Sequence, residues 1–229
     1  MRDSTLKPSS PMRQLLLDLM PAAPPSLDNF VPGGNGETLA ALTGWLAAAE
    51  GESSFLLWGE PGSGKTHLLT ASGLPYRDAR PDPDLCGLPE DQETLAVDHV
   101  EQLSASGQVA LFNAFNRIRA RGGKLLTATR LPPTRLELRE DLRTRLGYGL
   151  IYRLTPLSDG EKAAALSRQA EERAFRLPQE AVDYLLRHAP RDMRTLSALV
   201  VALDRYSLEH KRPITLPLLR EVLASPLEP

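Results

Sequence analysis

The stretch GEPGSGKT, Gly59 to Thr66, constrains this chain more than any other. It follows the apolar run SSFLLW, Ser53 to Trp58, and precedes an apolar segment with helical spacing that begins near His67. A glycine-rich loop between a strand and a helix is the arrangement in which backbone N–H groups turn inward around phosphate oxygens, at the positive end of the helix dipole. Gly59, Gly62 and Gly64 permit the turn, Lys65 meets the phosphate charge, and the Thr66 hydroxyl can ligate Mg²⁺. Pro61, Ser63 and His67 complete the expected cradle for ADP or ATP.

A second element of such a site is an acidic residue ending a neighbouring apolar strand. LAVDHV places Asp98 there, able to hold Mg²⁺ through water or, alternatively, to cap the loop that follows. The next residue is His99, where hydrolytic ATPases of this type usually carry a second carboxylate that orients the attacking water. Intrinsic hydrolysis is therefore expected to be weak, and an acid at position 99 to raise it if anything. His99 is read as a base when neutral or as a plain surface histidine, the second being preferred.

The remaining pattern fits a phosphate loop in a parallel sheet. A helix is expected over Glu37 to Ala49, strands over Ser53 to Trp58, Thr94 to Asp98 and Lys124 to Thr129, and a helix over roughly Gly107 to Arg121. Strands alternating with helices imply an α/β fold, a parallel sheet flanked by helices on both faces. Residues 73 to 93, rich in Pro, Asp and Gly, read as a loop holding at most a short strand or helix. From Ser158, which with Glu161 forms a capping box, the pattern is helical and broken at Pro178, Pro190 and Pro213, so a small all-helical lid domain follows. The expected organisation is an arm over 1–26, a nucleotide-binding domain over 27–156 and the lid over 157–229.

Charge narrows the partners. Lys and Arg total 27 against 29 Asp and Glu, which removes the basic footprint of a protein built mainly to grip DNA, and no sequence-specific DNA binding is expected. The single cysteine, Cys86, excludes an internal disulfide and suits a reducing compartment. The leucine-rich run near the start is interrupted by Asp18 and is too short for a signal-peptide core or a membrane span, so a cytoplasmic protein is expected. The arm carrying that run is proline-rich and without periodicity, and reads as flexible.

Several short signatures together resemble one family. LDNFVPGGN (Leu27 to Asn35), the phosphate loop, LAVDHV, LRTRLGYGLIYRLTPLS and RDMRTL occur in the order and spacing of the DnaA-related AAA+ family. The likeness runs over residues 12 to 225 and is greatest to the short, Hda-type members, which inactivate DnaA in association with the sliding clamp and lack a C-terminal DNA-binding helix-turn-helix. The resemblance implies that Phe30 and Val31 lie by the adenine; as apolar residues just ahead of a helix they alternatively, or at once, read as its hydrophobic staple. It implies that Arg194 of RDMRTL reaches from the lid to the phosphates, and that Arg145 is an arginine finger used in trans, with Arg143 and Arg139 as nearby competitors. Thr129 stands where DnaA-like sequences commonly have an aspartate, which again points away from a competent ATPase.

QLLLDL, with Gln14, Leu15, Leu17 and Leu19, matches the Q-L-x-L-x-L form of peptides that dock in the hydrophobic cleft of the DNA polymerase sliding clamp (β subunit). The implied function is a nucleotide-bound regulator, docked on the clamp, that stimulates ATP hydrolysis by DnaA; a homodimer is compatible with it. An autonomous ATPase of helicase-loader type and a non-catalytic adaptor for an initiator are the competing readings.

Overall fold

The computed structural model describes residues 24–210, 213–217 and 219. They fall into two compact units, one over Pro24–Leu157 and one from Ser158 onward.

In the first unit Ser54–Trp58 (β1), Tyr76–Asp78 (β2), Thr94–Asp98 (β3), Lys124–Thr129 (β4) and Leu150–Arg153 (β5) form one parallel sheet in the order β2-β3-β4-β1-β5. Side chains alternate across it with the period of a strand. Leu56, Leu95, Val97 and Leu125 pack on one face beneath the helices Ala105–Ala120 (α3) and Glu140–Leu146 (α4), through Leu111, Phe115, Leu142 and Leu146. Phe55, Leu57, Ala96, Leu126 and Ala128 pack on the other face beneath Gly36–Ala47 (α1) and Lys65–Ala71 (α2), through Leu42, Trp45, Leu68 and Leu69. Burial on both faces is why these strands read as continuous apolar runs. Each buried leucine or phenylalanine contributes about 1.5–3 kcal/mol of transfer free energy.

Helix ends are fixed by local chemistry. Ser104 accepts a 3.1 Å hydrogen bond from the Gly107 amide, so α3 starts at Ala105, ahead of the expected Gly107. At the other end of α1, the Lys124 ammonium donates to the carbonyls of Leu46 (2.7 Å) and Ala48 (2.5 Å), which the helix leaves unpaired. Residues 73–93 hold only the three-residue β2, as expected.

Two elements, α4 and β5, have no counterpart in the sequence expectation. β5 is a four-residue edge strand whose side chains alternate between half-buried and exposed, and α4 is only seven residues long. Neither is long enough to show a period. The folded body also reaches back into the segment expected to be arm: the Ser26 carbonyl accepts a 2.9 Å hydrogen bond from His67 Nε2.

The second unit contains helices Asp159–Glu172 (α5), Gln179–His188 (α6) and Met193–His210 (α7). The capping box is present, with the Glu161 amide donating to Ser158 Oγ at 3.2 Å and the Ser158 amide donating to Glu161 Oε2 at 2.8 Å. Ala181, Val182, Leu185 and Leu186 of α6 close a core against Leu166 and Ala170 of α5 and Leu196, Val200 and Leu203 of α7. α5 ends at Glu172, before Pro178, because Ala174 turns left-handed (φ 60).

Candidate functional site

The phosphate loop leaves β1 at Trp58, at the carboxyl end of the sheet where the strand order switches direction on either side of β1. That crevice is where open α/β sheets hold their ligands. Gly64 is left-handed (φ 97) and caps α2, so the helix begins at Lys65 and not near His67. A Cβ at Gly64 would come within 2.7 Å of Phe30 Cε2, and one at Gly59 within 2.1 Å of the Leu154 carbonyl. Only glycine lets the loop pass both neighbours.

Lys65 is buried, its ammonium donating to the carbonyls of Gly59 (2.7 Å) and Glu60 (2.9 Å) and to Ser63 Oγ (3.3 Å). Burial pulls its pKa down, against the opposing negative charge of Asp98 and then of Glu101. Thr66 Oγ1 donates to Asp98 Oδ2 at 2.6 Å. The ammonium, hydroxyl and carboxylate that a Mg²⁺-nucleotide requires are thus assembled at one end of the sheet, in a loop whose backbone admits no side chain at the crowded points. The residues fit that ligand class.

Asp98 is fully buried and held from three sides, by Thr66, by the Tyr76 hydroxyl (3.2 Å) and by the His99 amide (2.9 Å). Desolvation, followed by the charges of Asp98 and Asp78, pushes the Tyr76 phenol well above its ordinary range, so it remains a donor. His99 is more than a plain surface residue: its partly buried ring lies between two carboxylates, with Nδ1 3.4 Å from Asp98 Oδ1 as well as close to Asp78. Its backbone is left-handed (φ 53) and its Nδ1 lies 3.0 Å from Asp78 Oδ1. Partial burial raises the Asp78 carboxyl, but hydrogen bonds from Arg80 and the nearby His99 outweigh it and hold the pKa below the usual carboxylate value. His99 therefore braces the end of β3 against β2. Tyr76, Asp78 and Arg80 escaped sequence reading because β2 is too short to announce itself.

At the end of β4, Thr129 is buried and its hydroxyl donates to the Leu131 carbonyl at 2.6 Å, turned into its own loop. Phe30 is buried against the phosphate loop, its ring centroid 5.4 Å from that of His67, and Val31 beside it is half-buried.

Arg145 sits in the last turn of α4, its guanidinium 6.0 Å from the centroid of the Phe115 ring of α3. α3 and α4 cover the face of the sheet opposite to the one covered by α2, so the sheet separates Arg145 from Lys65. An open depression of 880 Å³ surrounds it, lined by Phe112, Arg139, Thr144 and Tyr148 among others. Arg139 is paired with Asp141 at 2.8 Å, whereas Arg145 makes no ion pair among the described residues. Arg194 is exposed in the first turn of α7. Gln14, Leu15, Leu17 and Leu19 lie outside the described residues.

Domain III of DnaA from Thermotoga maritima matches this fold with a TM-score of 0.67 at 20% identity, covering 90% of this chain and 98% of that one. Residues 159–223 match the family model for the lid domain of Hda. The chain carries an Hda lid on an AAA+ fold of the DnaA kind. AMPPCP-bound DnaA from Aquifex aeolicus is also similar (TM-score 0.63, 22% identity, 84% of this chain and 71% of that one). So is the RuvB Holliday junction branch migration motor of Thermotoga maritima (0.61, 20%, 89% and 72%). The Hda lid model accounts for α5, α6 and α7, including the segment that holds Arg194.

Proposed function

We propose that this chain is a nucleotide-bound regulator of replication initiation. It docks on the sliding clamp through Gln14, Leu15, Leu17 and Leu19, and offers Arg145 in trans to ATP held by DnaA, so that DnaA hydrolyses its nucleotide. The observation that carries this reading is the position of Arg145. It makes no ion pair among the described residues, borders an open 880 Å³ depression, and lies on the sheet face away from its own phosphate loop. A guanidinium so placed serves another molecule's phosphates, and fingers of this kind contribute about 10³–10⁵ in rate.

ADP or ATP with Mg²⁺ is the ligand that Lys65, Thr66 and Asp98 suit, and a structural neighbour is a DnaA bound to AMPPCP. The chain's own turnover is slow, because His99 and Thr129 stand where ATPases of this type carry acids and neither side chain supplies a carboxylate.

In an extended arm Leu15, Leu17 and Leu19 fall on one side. Burying them yields about 1.5–3 kcal/mol each, much of which is offset by the cost of association. Clamp binding is therefore weak per arm, roughly micromolar or above, and two arms of a homodimer would strengthen it by avidity. The test is binding of the full chain to purified clamp. Gln14→Ala, or Leu17→Ala with Leu19→Ala, should abolish it while ADP affinity and thermal stability stay unchanged; binding that survives these changes contradicts clamp docking. The competing reading of an autonomous ATPase draws on the intact Lys65, Thr66 and Asp98 set and predicts fast turnover by the chain alone.

A further inference from the structure

Tyr76, the first residue of β2, stands opposite Ala96 of β3 in the parallel register, and Asp98 follows two residues further along β3. Residues two apart on a strand share a face, so Tyr76 and Asp98 lie on the side of the sheet that carries α2. The Tyr76 ring packs against that core, and its hydroxyl donates to Asp98 Oδ2 at 3.2 Å. The same oxygen accepts from Thr66 Oγ1 at 2.6 Å, while Asp98 Oδ1 accepts from the His99 amide at 2.9 Å. Asp98 is fully buried, so its direction is set by these donors. Thr66 belongs to the phosphate loop and His99 holds the opposite oxygen, whereas Tyr76 reaches Oδ2 from outside the loop. The phenol keeps its proton at neutral pH, because burial and then the charges of Asp98 and Asp78 raise its pKa well above the ordinary range.

We infer that Tyr76 is a positioning residue for Mg²⁺ at this site: its hydroxyl holds Asp98 Oδ2 where that oxygen can receive both the Thr66 hydroxyl and a water on the metal. The inference rests on reading Gly59–Thr66, with Asp98, as a Mg²⁺-nucleotide site. A carboxylate that reaches a metal through water acts by its direction, since it must accept from a ligand whose place the phosphates fix. Without the Tyr76 donor the carboxyl group is freer to turn about its Cβ–Cγ bond. Groups that stand behind a metal-holding residue in this way contribute about 10–100-fold in metal affinity. A metal-free nucleotide is held instead by Lys65 and the loop amides, whereas the Tyr76 hydroxyl is engaged by Asp98. The effect is therefore confined to the metal-dependent part of binding, and the three-residue β2 has a task in the site beyond closing the sheet.

The test is the calorimetric ADP affinity of the full chain, measured in EDTA and over a series of Mg²⁺ concentrations, with thermal unfolding of the nucleotide-free chain alongside. Tyr76→Phe, which removes one oxygen and keeps the ring, should bind metal-free ADP as the parent does and need about tenfold more Mg²⁺ to reach its full affinity. Leu74→Ala, which loosens the packing two residues before Tyr76, should melt lower and keep the parent's Mg²⁺ requirement. A Tyr76→Phe variant with the parent's Mg²⁺ requirement, or a lower one, overturns the inference. So does a Tyr76→Phe variant that loses ADP affinity equally with and without the metal, or a Leu74→Ala variant whose Mg²⁺ requirement rises as far. A parent that binds no ADP, or binds it equally well with and without Mg²⁺, overturns the reading of the site itself, and this inference with it.

Discussion

Thr66 Oγ1 donates a 2.6 Å hydrogen bond to Asp98 Oδ2, tying the last residue of the phosphate loop to the last residue of β3. These are the two groups a phosphate-bound Mg²⁺ needs, one inside its coordination sphere and one reached through water. Replacing Thr66 by Ala should weaken MgADP binding by roughly tenfold, the equivalent of one hydrogen bond to a charged group. Affinity for ADP without Mg²⁺ should change much less. Calorimetry with and without the metal separates the two, and an equal loss in both conditions contradicts a metal role for this pair.

Lys65 carries the cation of the loop, drawn onto the carbonyls of Gly59 and Glu60. Lys65→Ala should lower ADP affinity by about tenfold or more, as one charge-assisted contact contributes about 1.5–3 kcal/mol. Unchanged affinity in that variant would remove the phosphate loop from the account.

Gly64 is the point where the loop and the pre-helix segment touch. Gly64→Ala places a methyl 2.7 Å from Phe30 Cε2 on a left-handed backbone (φ 97). Either the ring or the loop must move, so nucleotide affinity should be lost and the melting temperature should drop. An alanine variant that binds ADP as the parent does would show that the close contact is dispensable.

β1, β3 and β4 were legible because each is a continuous apolar run bounded by Gly, Pro or charged residues, and the phosphate loop fixed the direction of the first. Asp98 was legible by its place at a strand end. The left-handed turn at His99, which aims the ring at β2, was not, since no pattern in the sequence marks it. β5 was hidden because half its residues face water.

That turn sets a pH-dependent prediction. His99→Asp would put a second carboxylate beside Asp78, whose pKa lies below the ordinary value, so both groups are charged at neutral pH. The variant should melt lower than the parent at pH 7. Because Asp78 loses its charge only as pH falls through and below the carboxylate range, about 4, the deficit should shrink toward that pH. A melting deficit that stays constant from pH 7 to below 4 contradicts the assigned contact.

The role of Arg145 is decided by the rate of ATP hydrolysis by DnaA, measured with clamp on DNA and either the parent chain or its Arg145→Ala variant. The variant should keep its melting temperature, its ADP affinity and its clamp binding, because Arg145 makes no ion pair among the described residues and contributes only a 6.0 Å contact over Phe115. Stimulation of DnaA should fall by about 10³-fold or more, the loss expected when charge stabilisation of the transferring phosphoryl group is removed. Stimulation by Arg145→Ala equal to that of the parent would contradict the finger and leave the chain an adaptor.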